Sequence, residues 1–207
     1  MKIIIFSLVL LVCGLTLNSC KKKISGCTDI SAINYKSDAN EDDGSCIYWA
    51  IGQSYQGGYI AYILQQGDFG YDPSIKHGLI AAQYDQSTAA IWGCYGTTIT
   101  GADVTAIGSG NQNTLDIITE CSTVEIAAKL CVDLVLGGYS DWYLPSKDEL
   151  NKLYINRAAI GGFANGYYWS STEFGVYHAW SQNFNNGTQA NYVNKNGTYY
   201  VRAIRAF

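Results

Sequence analysis

The chain reads as an α+β domain with a small disulfide-stapled module in front of it. Three observations predict this. Strand-like runs open the main segment and close it, helix-like apolar periodicity with caps lies between them, and a Cys pair near the N-terminus brackets an acidic stretch of low hydrophobic content. The 207 residues leave room for one domain of ordinary size plus appendages. With 48% apolar and only 14% charged residues, the chain is no disordered polyelectrolyte. A formal charge of −4, with no basic block in the main segment, argues against nucleic-acid binding. Two His leave little for His-based catalysis or a His-rich metal site.

The first element is a targeting segment. Lys2 is followed by an apolar run at residues 3–17, too short for an ordinary membrane span, which ends in Leu17-Asn18-Ser19-Cys20. That ending resembles a bacterial lipobox, and Lys21-Lys22-Lys23 follows directly. The resemblance implies a signal peptide at residues 1–19 and a lipidated tether at 20–25. Cys20 would carry the acyl chains that hold the protein to a membrane without a spanning helix. The expected location is the cell envelope, on the outer membrane facing outward.

Residues 26–48 form the second element. Cys27 and Cys46 bracket a segment too poor in apolar residues to fold alone, so it needs a staple. Closing such a loop is worth roughly 3 kcal/mol on the chain-entropy estimate. Inside it, Asp38, Asn40, Asp42 and Asp43 lead to Gly44, an oxygen-rich run that suits a hard cation. Gly comes one residue late for an EF-hand, and no Glu closes the loop. The segment resembles the GCTD…DDGSC modules of bacterial surface proteins and thrombospondin type 3 calcium loops. That resemblance implies a spacer with a weak Ca²⁺ site, with affinity on the order of 10⁻⁴–10⁻³ M.

The third element, residues 49–207, opens with strands at 58–64 and 77–82. Residues 96–113 read as a long loop, and 113–120 as a short helix. A stronger helix is predicted from a Ser122/Glu125 capping box, with Ile126, Ala127, Leu130, Cys131 and Leu134 on one face and Gly137-Gly138 as its stop. A second capping box, Ser146 with Glu149, opens another helix. Four short strands follow at 167–171, 179–184, 189–193 and 199–205, with Asn185-Asn186-Gly187 and Asn196-Gly197 as turns. Trp169, Trp180, Phe184, Val201 and Ile204 are the expected core of this sheet.

The cysteines suit an exported protein. With Ser122 capping a helix to residue 136, Cys121 and Cys131 would stand about 14 Å apart along it, beyond the limit of about 7 Å for a bond. The expected pair is therefore Cys94–Cys121, with Cys131 free and buried on the apolar helix face.

Four motifs together carry a family resemblance: Trp92-Gly93-Cys94, the block at 138–150, Tyr168-Trp169-Ser170-Ser171 and Val201-Arg202-Ala203-Ile204-Arg205. They resemble the Lcl C-terminal-like domain over roughly residues 50–207. Tyr143 stands where that family often has Arg. The resemblance implies a C-type lectin-like fold shared with formylglycine-generating enzymes. It would have two main helices, a mixed and mostly antiparallel sheet, and adjacent N- and C-terminal strands. Those enzymes use a late cysteine pair, and no Cys follows Cys131, so a non-enzyme is expected.

From Phe174 to Phe207 the chain has no Asp or Glu but is dense in Asn and aromatics. Amides and phenols suit adaptable recognition. Phe174, Val176, Tyr177, His178, Asn191, Tyr192 and Asn194 are the expected ligand-binding residues, on one exposed face. The ligand expected is an external protein or glycan, with no cofactor in the main domain. An alternative is a structural or adhesive envelope protein without a dedicated pocket. The same pattern resembles variable proteins diversified by retroelements, whose variable positions Phe174, Val176, Tyr177, His178, Asn191 and Tyr192 would suit.

Overall fold

The computed structural model describes residues 21–207. In the module, strands β1 (Ser25–Gly26) and β2 (Glu41–Asp42) pair in parallel. The Cys27–Cys46 disulfide closes it with a Cα–Cα distance of 4.8 Å. Cys27 and Ala32 are its buried apolar residues. Side-chain turns do the remaining work. Asp29 Oδ1 accepts from Ser31 N at 2.8 Å, and Asn34 Oδ1 accepts from Ile47 N at 2.8 Å.

The main segment folds into two sheets with helices against them. One sheet has the order β11-β5-β4-β3, formed by β3 (Ser54–Tyr55), β4 (Gly58–Ile63), β5 (Gly78–Ala82) and β11 (Ile204–Ala206), all antiparallel. The last strand thus lies beside one of the first. The other sheet has the order β6-β10-β7-β8-β9, from β6 (Ser87–Ala90), β7 (Tyr167–Glu173), β8 (His178–Asn183), β9 (Gln189–Asn194) and β10 (Tyr199–Val201). Only β10 and β7 run parallel in it.

The final strand predicted at 199–205 is two strands in two sheets, β10 and β11. The chain crosses between them at Arg202 and Ala203, and two buried arginines explain the crossing. Arg202 Nε donates to Asp85 at 2.7 Å and its Nη1 to the Ala82 carbonyl at 3.0 Å. Arg205 grips Asp141 through two bonds of 2.7 Å each.

Among the described residues there are three helices rather than two main ones: α1 (Gly110–Glu120), α2 (Ala127–Val132) and α3 (Lys147–Ile160). The predicted 96–113 loop therefore ends early. The Ser122/Glu125 capping box does not form. Glu125 adopts a positive φ of 56°, and α2 starts after Ile126, which has no side-chain cap. The N–H of Ala127 donates instead to the Ile91 carbonyl at 2.9 Å, so a tertiary contact replaces the local cap. The premise of the long helix between Cys121 and Cys131 fails with it. The structure nonetheless joins Cys94 to Cys121 and buries Cys131 as a thiol. In α3 both halves of the Ser146/Glu149 box are present. Gly137 has φ 64°, and a Cβ there would meet the Gly57 Cα at 2.3 Å, so only glycine admits this close approach.

The core has two pools. One gathers Trp92, Trp142, Trp169, Ile117, Ile126 and Cys131. The Trp92 indole donates to the Ser170 carbonyl and the Trp169 indole to the Ala90 carbonyl, each at 2.9 Å. The second pool lies under α3, with Leu150, Leu153, Tyr168, Phe184 and Ile204. Trp180 corrects the expected core: it is only half-buried. Its neighbours Ala179 and Ser181 point inward, so strand alternation turns Trp180 out.

Candidate binding face

The face is built on β8 and β9. Their register pairs Ala179 with Val193 and Ser181 with Ala190. Between these pairs one residue, Trp180, stands opposite two, Asn191 and Tyr192. That is a β-bulge on β9. In a regular strand Asn191 and Tyr192 would point to opposite sides. The bulge removes this conflict. Tyr192 is 71% exposed and Asn191 half-exposed, while Ala190 and Val193 are buried on the other side. His178 and Asn194 are directly paired and share the outer side. Among the described residues no hydrogen bond occupies the amides of Asn191 and Asn194 or the imidazole of His178.

The β7–β8 turn extends the face. Phe174 N donates to the His178 carbonyl at 2.9 Å, and Gly175 supplies a φ of 118°. The turn leaves Phe174, Val176 and Tyr177 exposed. The Phe174 ring meets Trp180 edge-on at 5.7 Å, and Lys147 Nζ lies 5.0 Å from the Trp180 ring. Tyr95, exposed and not among the residues predicted, holds its ring 5.1 Å from that of Tyr177, tilted at 46°. A backbone bond from Gly96 N to the Val176 carbonyl at 3.0 Å holds the two turns together.

Beneath the face lies a buried ion pair, Lys195 with Glu173. Lys195 Nζ also donates to the Thr97 carbonyl at 2.7 Å and sits 4.7 Å from the Trp92 ring. Glu173 Oε1 accepts from Ile99 N at 2.9 Å. Lys195 N donates to the Tyr177 carbonyl at 2.9 Å, and its own carbonyl accepts from Trp92 N at 2.9 Å. Three separate segments, around 92–99, 173–178 and 192–195, are thus tied at one point. The ion pair also neutralises Glu173, the carboxylate at the end of the strand that leads into the face. Sequence reasoning missed this pair because a lone Lys and a lone Glu far apart in the chain read as solvated surface.

The other candidate residues are placed as follows. Cys20 lies outside the described residues. Asn40 spends its amide on Ile24 N at 3.1 Å and the Lys22 carbonyl at 2.9 Å. Asp42 and Asp43 accept from Gly44 N and Ser45 N. Asp38 makes no shared site with them. Among the described residues no three Asp, Glu, His or Cys side chains gather as metal ligands. Of the predicted ligands, Asn40, Asp42 and Asp43 each give an oxygen to a backbone N–H, and Asp38 makes no such bond among the described residues. Tyr143 is buried, and its hydroxyl lies 3.4 Å from Glu149. Burial pushes the Glu149 carboxyl up, opposed by hydrogen bonds from Ser146 and Gly108.

The Lcl C-terminal domain family matches residues 81–205. No curated protein matches the chain. Among solved structures, a fimbrial protein from Bacteroides ovatus is similar at 15% identity with a TM-score of 0.49, covering 83% of this chain and 50% of that one. The chain thus spans about half the length of that structure. The family match covers more than half of the chain, from β5 through Arg205, and includes every residue of the face. The chain belongs to the Lcl C-terminal domain family.

Proposed function

We propose that this protein is a cell-surface binding module. It is lipid-anchored at Cys20 and takes an external protein or glycan on the face formed by Tyr95, Phe174, Tyr177, Trp180, Asn191 and Tyr192. The observation that carries this reading is the exposure of Tyr192, Tyr177 and Phe174 on one bulged, clamped sheet edge. Large exposed apolar groups on an otherwise packed domain mark interaction surfaces. Tyr and Asn together resemble the chemistry of adaptable paratopes. The role is binding rather than catalysis, on a C-type lectin-like scaffold, and the variable-protein resemblance makes this face the natural place for retroelement diversification. A reverse-transcriptase gene beside an adenine-rich near-copy of the 3′ end would support that last point.

The test uses protein and glycan arrays probed with the purified chain. Tyr177→Ala and Tyr192→Ala should each weaken the strongest array signal about tenfold or more, as central aromatic anchors do. Their melting temperatures should stay near that of the parent, because exposed substitutions stay within about ±0.5 kcal/mol. Variants that bind as the parent does, or that unfold, would overturn the reading.

A further inference from the structure

A second apolar surface lies at the opposite end of the chain, where the module meets the loop before β5. Two adjoining clefts of about 350 and 340 Å³ share Ser31, Trp49 and Lys76. Their walls are Ile30, Ile33, Tyr35, Tyr48 and Ile75, with Trp49 between. Ile30 is 65% exposed, Ile75 56% and Tyr48 51%, so these side chains are in water although they adjoin one another. Asp29, at the edge of the patch, is satisfied internally: it accepts from Tyr48 Oη at 2.8 Å and from Ser31. Of the other acids of the module, Glu41 pairs with Lys23, and Asp42 and Asp43 accept from turn N–H groups.

We infer that this patch rests on a lipid bilayer and inserts its Ile, Tyr and Trp side chains at the interface. The inference rests on the anchorage proposed above and goes beyond it, since an anchor alone does not require the protein to touch the membrane. The argument is one of reach. Only four described residues, Lys21 to Ile24, precede β1. Fully extended, they span at most about 14 Å. The module therefore cannot stand far off from a membrane that holds the lipidated Cys20. A patch of aromatic and aliphatic groups so close to a bilayer is in the setting where Trp and Tyr settle at the headgroup level. Lys76 lies within the patch and can keep its ammonium in the headgroups while its stem lies along the apolar surface. Apolar insertion drives the contact, and it needs no anionic lipid.

The test is tryptophan quenching by lipid. The full chain is reconstituted into phosphatidylcholine vesicles whose acyl chains carry bromine close to the headgroups. Of the five Trp, Trp92, Trp142 and Trp169 are enclosed and Trp180 belongs to the other sheet, which leaves Trp49 beside the patch. Brominated lipid should quench part of the emission, Trp49→Phe should abolish the quenched part, and Ile30→Asp with Ile75→Asp should reduce it. A chain that floats with the vesicles but shows no quenching would overturn the inference and leave the anchorage standing. Quenching that survives Trp49→Phe would place another surface on the lipid and overturn it too. A chain that does not float at all would overturn both.

Discussion

The module at residues 26–48 and the sheet edge at 173–195 both present apolar side chains to water, yet opposite means hold them in place. The module has almost no core of its own: a disulfide and local side-chain turns fix its backbone. The sheet edge has hydrogen-bonded ladders and, beneath them, a charged pair removed from solvent. A segment that displays its apolar groups cannot use their burial for its own stability. Something else must order it. In the module that role falls to a covalent bond, and at the sheet edge to a buried polar tie between distant segments. The two regions should therefore fail differently when broken.

The largest effect is expected at the ion pair. Removing one partner of a buried pair leaves an uncompensated charge, which costs about 3–5 kcal/mol. Lys195 is fully buried, so Glu173→Ala should cost about that much in denaturant titration of the whole domain. Glu173→Ala with Lys195→Met should cost less, because no charge is then stranded. The double variant still leaves Ile99 N and the Thr97 carbonyl without these partners. Amide exchange at 97–99 should therefore stay fast even where global stability recovers. A double variant less stable than Glu173→Ala would show that the pair does not act as an electrostatic tie.

The module should respond next. Cys27→Ser with Cys46→Ser removes the closure of a loop with sequence separation 19, worth roughly 3 kcal/mol. The loss should be local. Exchange protection across 26–48 should collapse while the melting of the main domain barely moves, since Cys27 and Ala32 are the only apolar groups the module buries among the described residues. A clear fall in the main transition would mean that the two regions fold as one unit.

What was legible in the sequence follows the same division between local and distant causes. The α3 capping box, the Asn186-Gly187 turn and the exposure of Tyr177 and Tyr192 depend on neighbours along the chain, and each could be read. The α2 start could not, because the Ile91 carbonyl supplies what Ser122 was expected to give. Trp180 is expected in the core, yet its alternation with buried Ala179 and Ser181 turns it outward. The bulge at Asn191 and Tyr192 arises from register between two strands, and no pattern within β9 announces it. Tyr95 joins the face only because Gly96 bonds to Val176 from far away in sequence. Lys195 and Glu173 look like surface charges until the fold brings them together.

The smallest effect is expected at a pair that resembles the buried tie but sits at the surface. Arg205 is 8% exposed while its partner Asp141 is 58% exposed. The hydrogen bonds from Arg205 hold the Asp141 carboxyl below its usual value, with burial opposing them. A lowered pKa in the folded state contributes stability above the unfolded value, and that contribution is lost as pH falls through the folded one. Water screens so exposed a carboxylate, so the contribution should be below about 1 kcal/mol. Arg205 also keeps Gln56 and the Tyr139 ring, 4.0 Å from its guanidinium, when Asp141 is neutralised. Asp141→Asn should therefore lower stability slightly at neutral pH, and the difference from the parent should shrink as the pH is taken below the unfolded value. Glu149 runs the other way, since its raised pKa means that stability falls as pH rises above its unfolded value. It is present in both chains and cancels in the comparison. An Asp141→Asn loss as large as that of Glu173→Ala, or one that persists at low pH, would show that exposure does not separate the two ion pairs.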